Sequence, residues 1–329
     1  MARLFEPITI KGVHLRNRLV FPPMGTYLAT ADGAVTPNHR EHYLARAEAG
    51  VGLIILEHAF ITLQGRARAN QLGIDSDDKI PGLASLVEVL HQAGAKVVAQ
   101  LNHAGSNAKT GVILPPLLGA SAIEHPTSHL VPREMTDKDI ADIIDAFAKA
   151  AARAKAAGCD GVEIHCCHGY LLNQFLSPLT NQRQDQYGRT LEGRLRLLLE
   201  VVRAVRKAVG DDYLLLLRLA ADDGLPGAIT LAESKIAAKE AVAAGVDVLD
   251  ISGGLGGYSP EGAGPAYFLP LAKAIKQVVS VPVICTGGIK EPELADAIVR
   301  ENQADLVGVG RAQFADPKWA VKARHVLGQ

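Results

Sequence analysis

Eight short apolar runs punctuate the chain, and most of them are continuous rather than alternating. They are Leu19–Met24, Leu53–Glu57, Lys96–Leu101, Gly161–His165, Tyr213–Leu219, Val246–Ile251, Val281–Cys285 and Leu306–Gly310. Continuous runs of this length are how strands covered on both faces read. Helical stretches fall between them: Pro37–Ala49, Ile80–Ala93, Asp137–Ala157, Leu191–Val209, Leu231–Ala244, Ala266–Val279, Pro292–Glu301 and Pro317–His325. Thr36 precedes a proline at the first helical position. Thr230 is followed three residues on by Glu233, the spacing of a capping box. Gly94, Gly158, Gly210 and Gly245 stand just past four of the helices, where a left-handed stop is expected.

Strand then helix, eight times over, predicts a parallel α/β fold. The count of eight favours a closed (β/α)8 TIM barrel, read as a single domain over 1–329. An open doubly wound sheet is the alternative, and the absence of a GxGxxG after the first strand weakens it. Two connections are long, His103–Met135 and Cys166–Thr190, and long loops in a compact fold often serve as lids or binding walls.

Composition narrows the function. Of 329 residues, 48% are hydrophobic and 21% charged, and 34 basic against 35 acidic side chains leave a net charge of −1. That balance offers no electrostatic footprint for nucleic acid or an anionic membrane, while it permits copies of the chain to associate as a homo-oligomer. The longest apolar runs, such as Val51–Leu56, fall far short of the ~18 residues of a spanning helix. The start lacks a signal-peptide pattern. None of the four cysteines forms a CxxC pair, and adjacent Cys166 and Cys167 are poor disulfide partners, so a reducing cytoplasm is the expected home.

In a barrel the chemistry gathers at the C-terminal ends of the strands. Gly287-Gly288 and Gly310-Arg311 follow the last two strands, where exposed N–H groups can cradle a phosphate; tight βα turns use glycine for plainer reasons as well. The run HCCHGY (165–170) suggests zinc, but adjacent cysteines rarely face one ion, so no metal is expected. An organic role fits better: His165 and His168 as donors to a carbonyl oxygen or oxyanion, and Tyr170 as a phenol protonated at neutral pH. Arg218 interrupts the run LLLLRLA. A charge there needs a partner, either a carboxylate such as Glu57 or a bound anionic or electron-rich ligand.

The chain resembles the old yellow enzyme family of FMN-dependent NAD(P)H:flavin oxidoreductases, including the barrel domain of 2,4-dienoyl-CoA reductases. The likeness covers essentially the whole chain. It rests on LFEPITIKG-x-x-LRNRLVFPPM near the start, VAQLNHAG at 98–105, PREMT at 132–136, GVEIHCCHGYLLNQFLSPLTNQRQDQYG at 161–188, VPVICTGGI at 281–289 and LVGVGRAQFADPKW at 306–319. The resemblance implies noncovalent FMN over the mouth of a TIM barrel, with NADH or NADPH as a transient hydride donor. By matched position, Pro23 and Met24 lie against the flavin, with Gly25 and His58 at its border. Gln100 bonds its pyrimidine edge, Arg218 stands where negative charge accumulates on reduction, and Gly288, Gly310 and Arg311 hold the phosphate. Tyr27, His165 and His168 meet the substrate, and Tyr170 donates the proton. The implied reaction is ene-reduction: hydride passes from the reduced flavin to the β-carbon of an α,β-unsaturated carbonyl compound.

Some positions depart from the family pattern. Gly25 stands where many relatives carry Thr or Cys, and His58 where they often carry a small residue. Arg189 replaces the second glycine of the usual YGG. No cysteine cluster supports an iron–sulfur relay. Two other functions remain open to the sequence: a catalytic flavoprotein subunit fed by a separate electron-transfer partner, and a non-redox phosphate-binding barrel. For an aldolase, Lys290 is the nearest Schiff-base candidate, and it lies beyond the Gly287-Gly288 turn.

Overall fold

A computed structural model describes residues 3–109, 111–112, 114–260 and 262–329. Its centre is a closed ring of eight parallel strands: Leu19–Phe21, Leu53–Ile55, Lys96–Asn102, Gly161–Cys166, Leu214–Asp222, Val248–Gly253, Val283–Cys285 and Leu306–Gly308. Each pairs with its sequence neighbours. The eighth strand returns to the first through Val307↔Leu19 and Gly308↔Val20, which closes the TIM barrel.

Eight helices wrap the ring: Pro37–Glu48, Ile80–Gln92, Asp137–Ala156, Leu191–Val209, Leu231–Ala243, Leu269–Lys276, Pro292–Arg300 and Trp319–Val326. Most boundaries lie within two residues of those read from the sequence, and the larger differences have backbone causes. The first strand stops at Phe21 because Pro22 and Pro23 have no N–H to give a ladder. The sixth helix starts at Leu269, not Ala266, because Ala266 is left-handed with φ 51°. The Thr230–Glu233 capping box forms. Thr36 caps differently: its hydroxyl donates to Leu28 O at 2.8 Å, while its N–H donates to His39 Nδ1 at 3.2 Å.

Small elements escape the sequence pattern. An antiparallel hairpin, Ile8–Ile10 with Val13–Leu15, turns through left-handed Lys11 and Gly12. Its Ile10 and Leu15 join the lower barrel interior, an apolar cluster with Val20, Leu53, Ile55, Val98, Leu214, Leu216, Val248, Ile284 and Leu306. A short helix, Leu171–Leu176, lies within the long connection after the fourth strand. Another, Arg311–Ala315, follows the eighth. The larger core lies between the ring and the helices. Among the described residues no helix is long and apolar enough to cross a membrane, and the four cysteines are buried and free.

Candidate active site

At the C-terminal end of the ring the strands open into a cavity of about 560 Å³, within the range of small-molecule and cofactor sites. Pro23, Met24, Gly25, Tyr27, His58, Gln100, His165, His168, Tyr170, Arg218, Gly288, Gly310 and Arg311 all line it. Most of these residues lie at or just past a strand end or in the helix start beyond it, so the barrel topology brings them together from distant parts of the chain; Arg218, expected at the end of the fifth strand, stands at its middle because that strand runs on to Asp222. The charged lining is one-signed: Arg68, Lys109, Arg218, Lys290 and Arg311, with no carboxylate among the described residues.

One wall is aromatic and polar. The His165 ring centre lies 5.1 Å from that of His168 and 4.9 Å from that of Tyr170. Burial, with neighbouring His168, His58 and Arg218 adding to it, holds the His165 imidazole well below its ordinary range. Burial does the same for His168, helped by Arg218 and His58. Both are therefore neutral, each with one N–H and one acceptor nitrogen. His168 Nε2 lies 2.7 Å from Ser252 Oγ. Burial raises the Tyr170 phenol, which stays protonated through physiological pH.

His58 has a fixed tautomer. Backbone N–H groups of Ala67 and Arg68 donate to Gln71 Oε1 at 2.8 and 3.4 Å, which turns Gln71 Nε2 toward His58. That amide donates to His58 Nδ1 at 2.9 Å, and Asn102 Nδ2 approaches the same nitrogen at 3.3 Å. Nδ1 is the acceptor, so Nε2 carries the hydrogen. Burial lowers this histidine to about 4, which keeps it neutral.

His165, Cys167 and His168 bring one ligand atom each to within 4.8 Å of one another, and burial pushes the Cys167 thiol well above its ordinary value. Its Sγ lies 3.9 Å from His165 Nδ1 and 3.8 Å from His165 Nε2.

Arg218 does not pair with Glu57. Its Nε lies 3.4 Å from Asp250 Oδ2, its Cα partner on the next strand. Glu57, fully buried, belongs to another network. Its Oε1 accepts from His39 Nε2 at 2.9 Å and from the Thr26 hydroxyl, and its Oε2 from the Thr26 N–H at 3.0 Å. Burial pushes this carboxyl up, but the bonds from His39 and Thr26 outweigh it and leave it below its ordinary value. Glu57 thereby anchors the segment that carries Gly25 and Tyr27. Tyr27 is left-handed with φ 57°, and its hydroxyl lies 3.0 Å from where a Cβ on Gly25 would stand. The phenol thus fills the space that a larger residue 25 would take.

At the opposite end of the cavity, Gly287 and Gly288 are left-handed, with φ 96° and 72°. The N–H groups of Gly287, Gly288, Gly310 and Arg311 meet no acceptor among the described residues. Tyr267, which the sequence reading missed, packs on the double glycine, 2.6 Å from a Cβ built on Gly287. It also accepts from Arg311 Nη2 at 3.0 Å, while Arg311 Nη1 donates to Ser259 Oγ at 3.1 Å.

Comparison with known proteins agrees with this architecture. The profile of the NADH:flavin oxidoreductase / NADH oxidase family matches residues 3–329. The NADH oxidase of Thermoanaerobacter brockii is 44% identical over 98% of this chain and 50% of its own length. The NADPH dehydrogenase of Geobacillus sp. (strain WCH70) is 40% identical over 99% of this chain and 94% of its own. The chain therefore spans about half of the first relative and nearly all of the second. Among solved structures, the old yellow enzyme homologue from Zymomonas mobilis superposes with a TM-score of 0.86 at 27% identity, over 99% of this chain and 92% of that one. With a closed barrel, a cationic mouth and a match that runs almost from end to end, the chain belongs to the NADH:flavin oxidoreductase / NADH oxidase family, whose cofactors are FMN and NAD(P)H.

Proposed function

We propose that the chain is an ene-reductase that reduces α,β-unsaturated carbonyl compounds at the expense of NADH or NADPH. The observation that carries this reading is the cluster on one cavity wall: two neutral imidazoles and a protonated phenol with ring centres about 5 Å apart.

The residues present suit FMN. A cavity lined by five cations and no carboxylate among the described residues favours an anionic, acceptor-rich ligand. The unpartnered N–H groups at Gly287, Gly288, Gly310 and Arg311 suit a phosphate. Lys290, which lines the same end, adds charge there. Gln100 and Arg218 would hold the polar edge of the ring, with Pro23 and Met24 against it. Held there, FMN would supply the hydride-transfer chemistry between a nicotinamide and carbon.

The chain's own residues do the rest. His165 and His168 donate to the substrate carbonyl oxygen and draw charge from the alkene, as an oxyanion site does. Being neutral, each has an N–H to give without forcing a second cation beside Arg218. Tyr170 holds its proton until the α-carbon needs it, and a positioned general acid contributes about 10²–10⁴-fold. Tyr27, more than one-third exposed at 42%, forms the outer rim on the substrate side.

Tyr170→Phe in the FMN-loaded protein tests the assignment. Anaerobic reduction by NADPH or NADH proceeds as in the wild type, and reoxidation by a cyclic enone slows at least about 100-fold. Equal slowing of both halves would remove Tyr170 from the proton-donor role. A yellow protein that neither nucleotide bleaches would point to a separate electron-transfer partner, and a protein that never takes up FMN to a non-redox phosphate-binding barrel.

A further inference from the structure

Beneath the cavity floor, two carboxyl groups are buried with one cation. Glu163 and Asp250 are fully enclosed, and Arg218 is 6% exposed. Their strands bring them together: Glu163 is the Cα partner of Gln100, and Asp250 that of Arg218. Gln100 Nε2 donates to Glu163 Oε2 at 2.7 Å. Glu163 Oε1 and both oxygens of Asp250 have no hydrogen-bond partner, and neither has Arg218 Nε.

Counting charges exposes the difficulty. If both carboxyl groups are ionised, one guanidinium faces two carboxylates, and an uncompensated buried charge costs several kcal/mol. One proton restores neutrality. The contacts decide where it resides. Asp250 lies against the cation, whereas Glu163 touches only a neutral amide. No other charge intervenes: the thiols of Cys167 and Cys285 are pushed up by burial, and His58, His165 and His168 are neutral.

We propose that Glu163 is a positioning residue held as the neutral acid: it fixes the Gln100 amide by accepting from Nε2, and it leaves Asp250 as the one counter-charge of Arg218. Gln100 then keeps its carbonyl oxygen for the cavity it lines, as an acceptor for a ligand N–H. The electrostatics agree, since burial and Asp250 raise Glu163 well above the carboxyl range, while burial lifts Asp250 only to about 6 because Arg218 opposes it. The role in ligand binding rests on the proposed flavin site; the protonation state does not.

Two measurements test it, and the first needs no flavin. The infrared spectrum of the whole protein at neutral pH shows a protonated-carboxyl stretch that Glu163→Gln removes. Absence of any such band in the wild type, or its survival in the variant, overturns the proposal. Should that variant not fold, Asp250→Asn decides: the band survives it if the proton is on Glu163, and its loss in that variant overturns the proposal. The second measurement is the midpoint potential of bound FMN. Glu163→Gln, which mimics the neutral acid, leaves it at the wild-type value at neutral pH. Glu163→Gln with Asp250→Asn shifts it positive, because Arg218 loses its counter-charge. A positive shift in Glu163→Gln alone means that Glu163 was an anion and defeats the proposal. A chain that binds no FMN fails the functional reading instead, and the infrared result still stands.

Discussion

The lower and upper halves of the barrel interior are built on the same strands and have opposite characters. Below, Val98, Leu216 and Val248 pack into a dry apolar cluster, sealed by Ile10 and Leu15 of the hairpin. Two residues further along the same strands stand Gln100, Arg218 and Asp250. Since side chains alternate faces along a strand, a step of two keeps the direction and changes only the height. The lower half resembles any packed core and has one arrangement to maintain. The upper half instead buries charged and polar groups, several of them without a hydrogen-bond partner, and turns others toward the mouth. Fold stability and chemistry are thus stacked along one axis, as expected of a barrel whose sites lie at its C-terminal face.

Acid should separate the halves most strongly. Burial lowers His58 and His103 from their ordinary 6.5 to about 4. Between those values the unfolded chain binds protons that the folded chain refuses, so stability is full above about 6.5 and falls as the pH drops toward 4. Each contributes on the order of 3 kcal/mol to this loss once the pH has passed below about 4. Urea unfolding followed from pH 7 to pH 4.5 should show the loss, and His58→Gln should remove part of it. A flat profile would mean that the upper half is more hydrated than its burial suggests.

A pair of substitutions on one strand comes next. Arg218→Leu leaves Asp250 buried without its cation and should destabilise the fold by about 3–5 kcal/mol, with loss of bound flavin. Leu216→Ala should cost about 2–5 kcal/mol through its cavity. The flavin spectrum and affinity of the remaining folded protein should be unchanged. Thermal melts and flavin content measured on the same samples distinguish the two. A Leu216→Ala protein that sheds its flavin while still folded would break the division between the halves.

The smallest effect sharpens the picture at the mouth. Ser252→Ala removes the hydroxyl beside His168 Nε2 and should weaken binding of a phenol-type carbonyl mimic by about 1 kcal/mol, a several-fold rise in Kd. Stability should change little. A loss of stability without a change in Kd would make Ser252 a structural partner of His168 alone.

The sequence carried the barrel because strand and helix periods were strong and punctuated by glycine and proline. It missed the hairpin because ITI and VHL are three-residue strands, too short for a period to register. It missed the helix Leu171–Leu176 because six residues are too few for a helical repeat to register and its polar Asn173 and Gln174 are buried with the rest. At the site, residues at strand ends were legible, and the same cavity collects them. Partners were not. For Arg218 the sequence offers either a carboxylate such as Glu57 or a bound ligand, and only the strand register reveals Asp250 as its neighbour. Glu163 and Asp250 carried the signal that singled out Arg218, a charge inside an apolar run: VEI and LDI read as LRL does. Tyr267 had no such signal, since its position on the double glycine depends on the path of the loop before it.

The sealed lower end also governs traffic. With the hairpin and the apolar cluster closing the lower end among the described residues, the proposed cofactor, hydride donor and substrate would all have to use the upper mouth. On the proposed ene-reductase reading, the nicotinamide that reduces the flavin would have to depart before the enone takes its place. Turnover is then a queue at one entrance, so each reactant obstructs the other, and an excess of either one slows the enzyme it feeds.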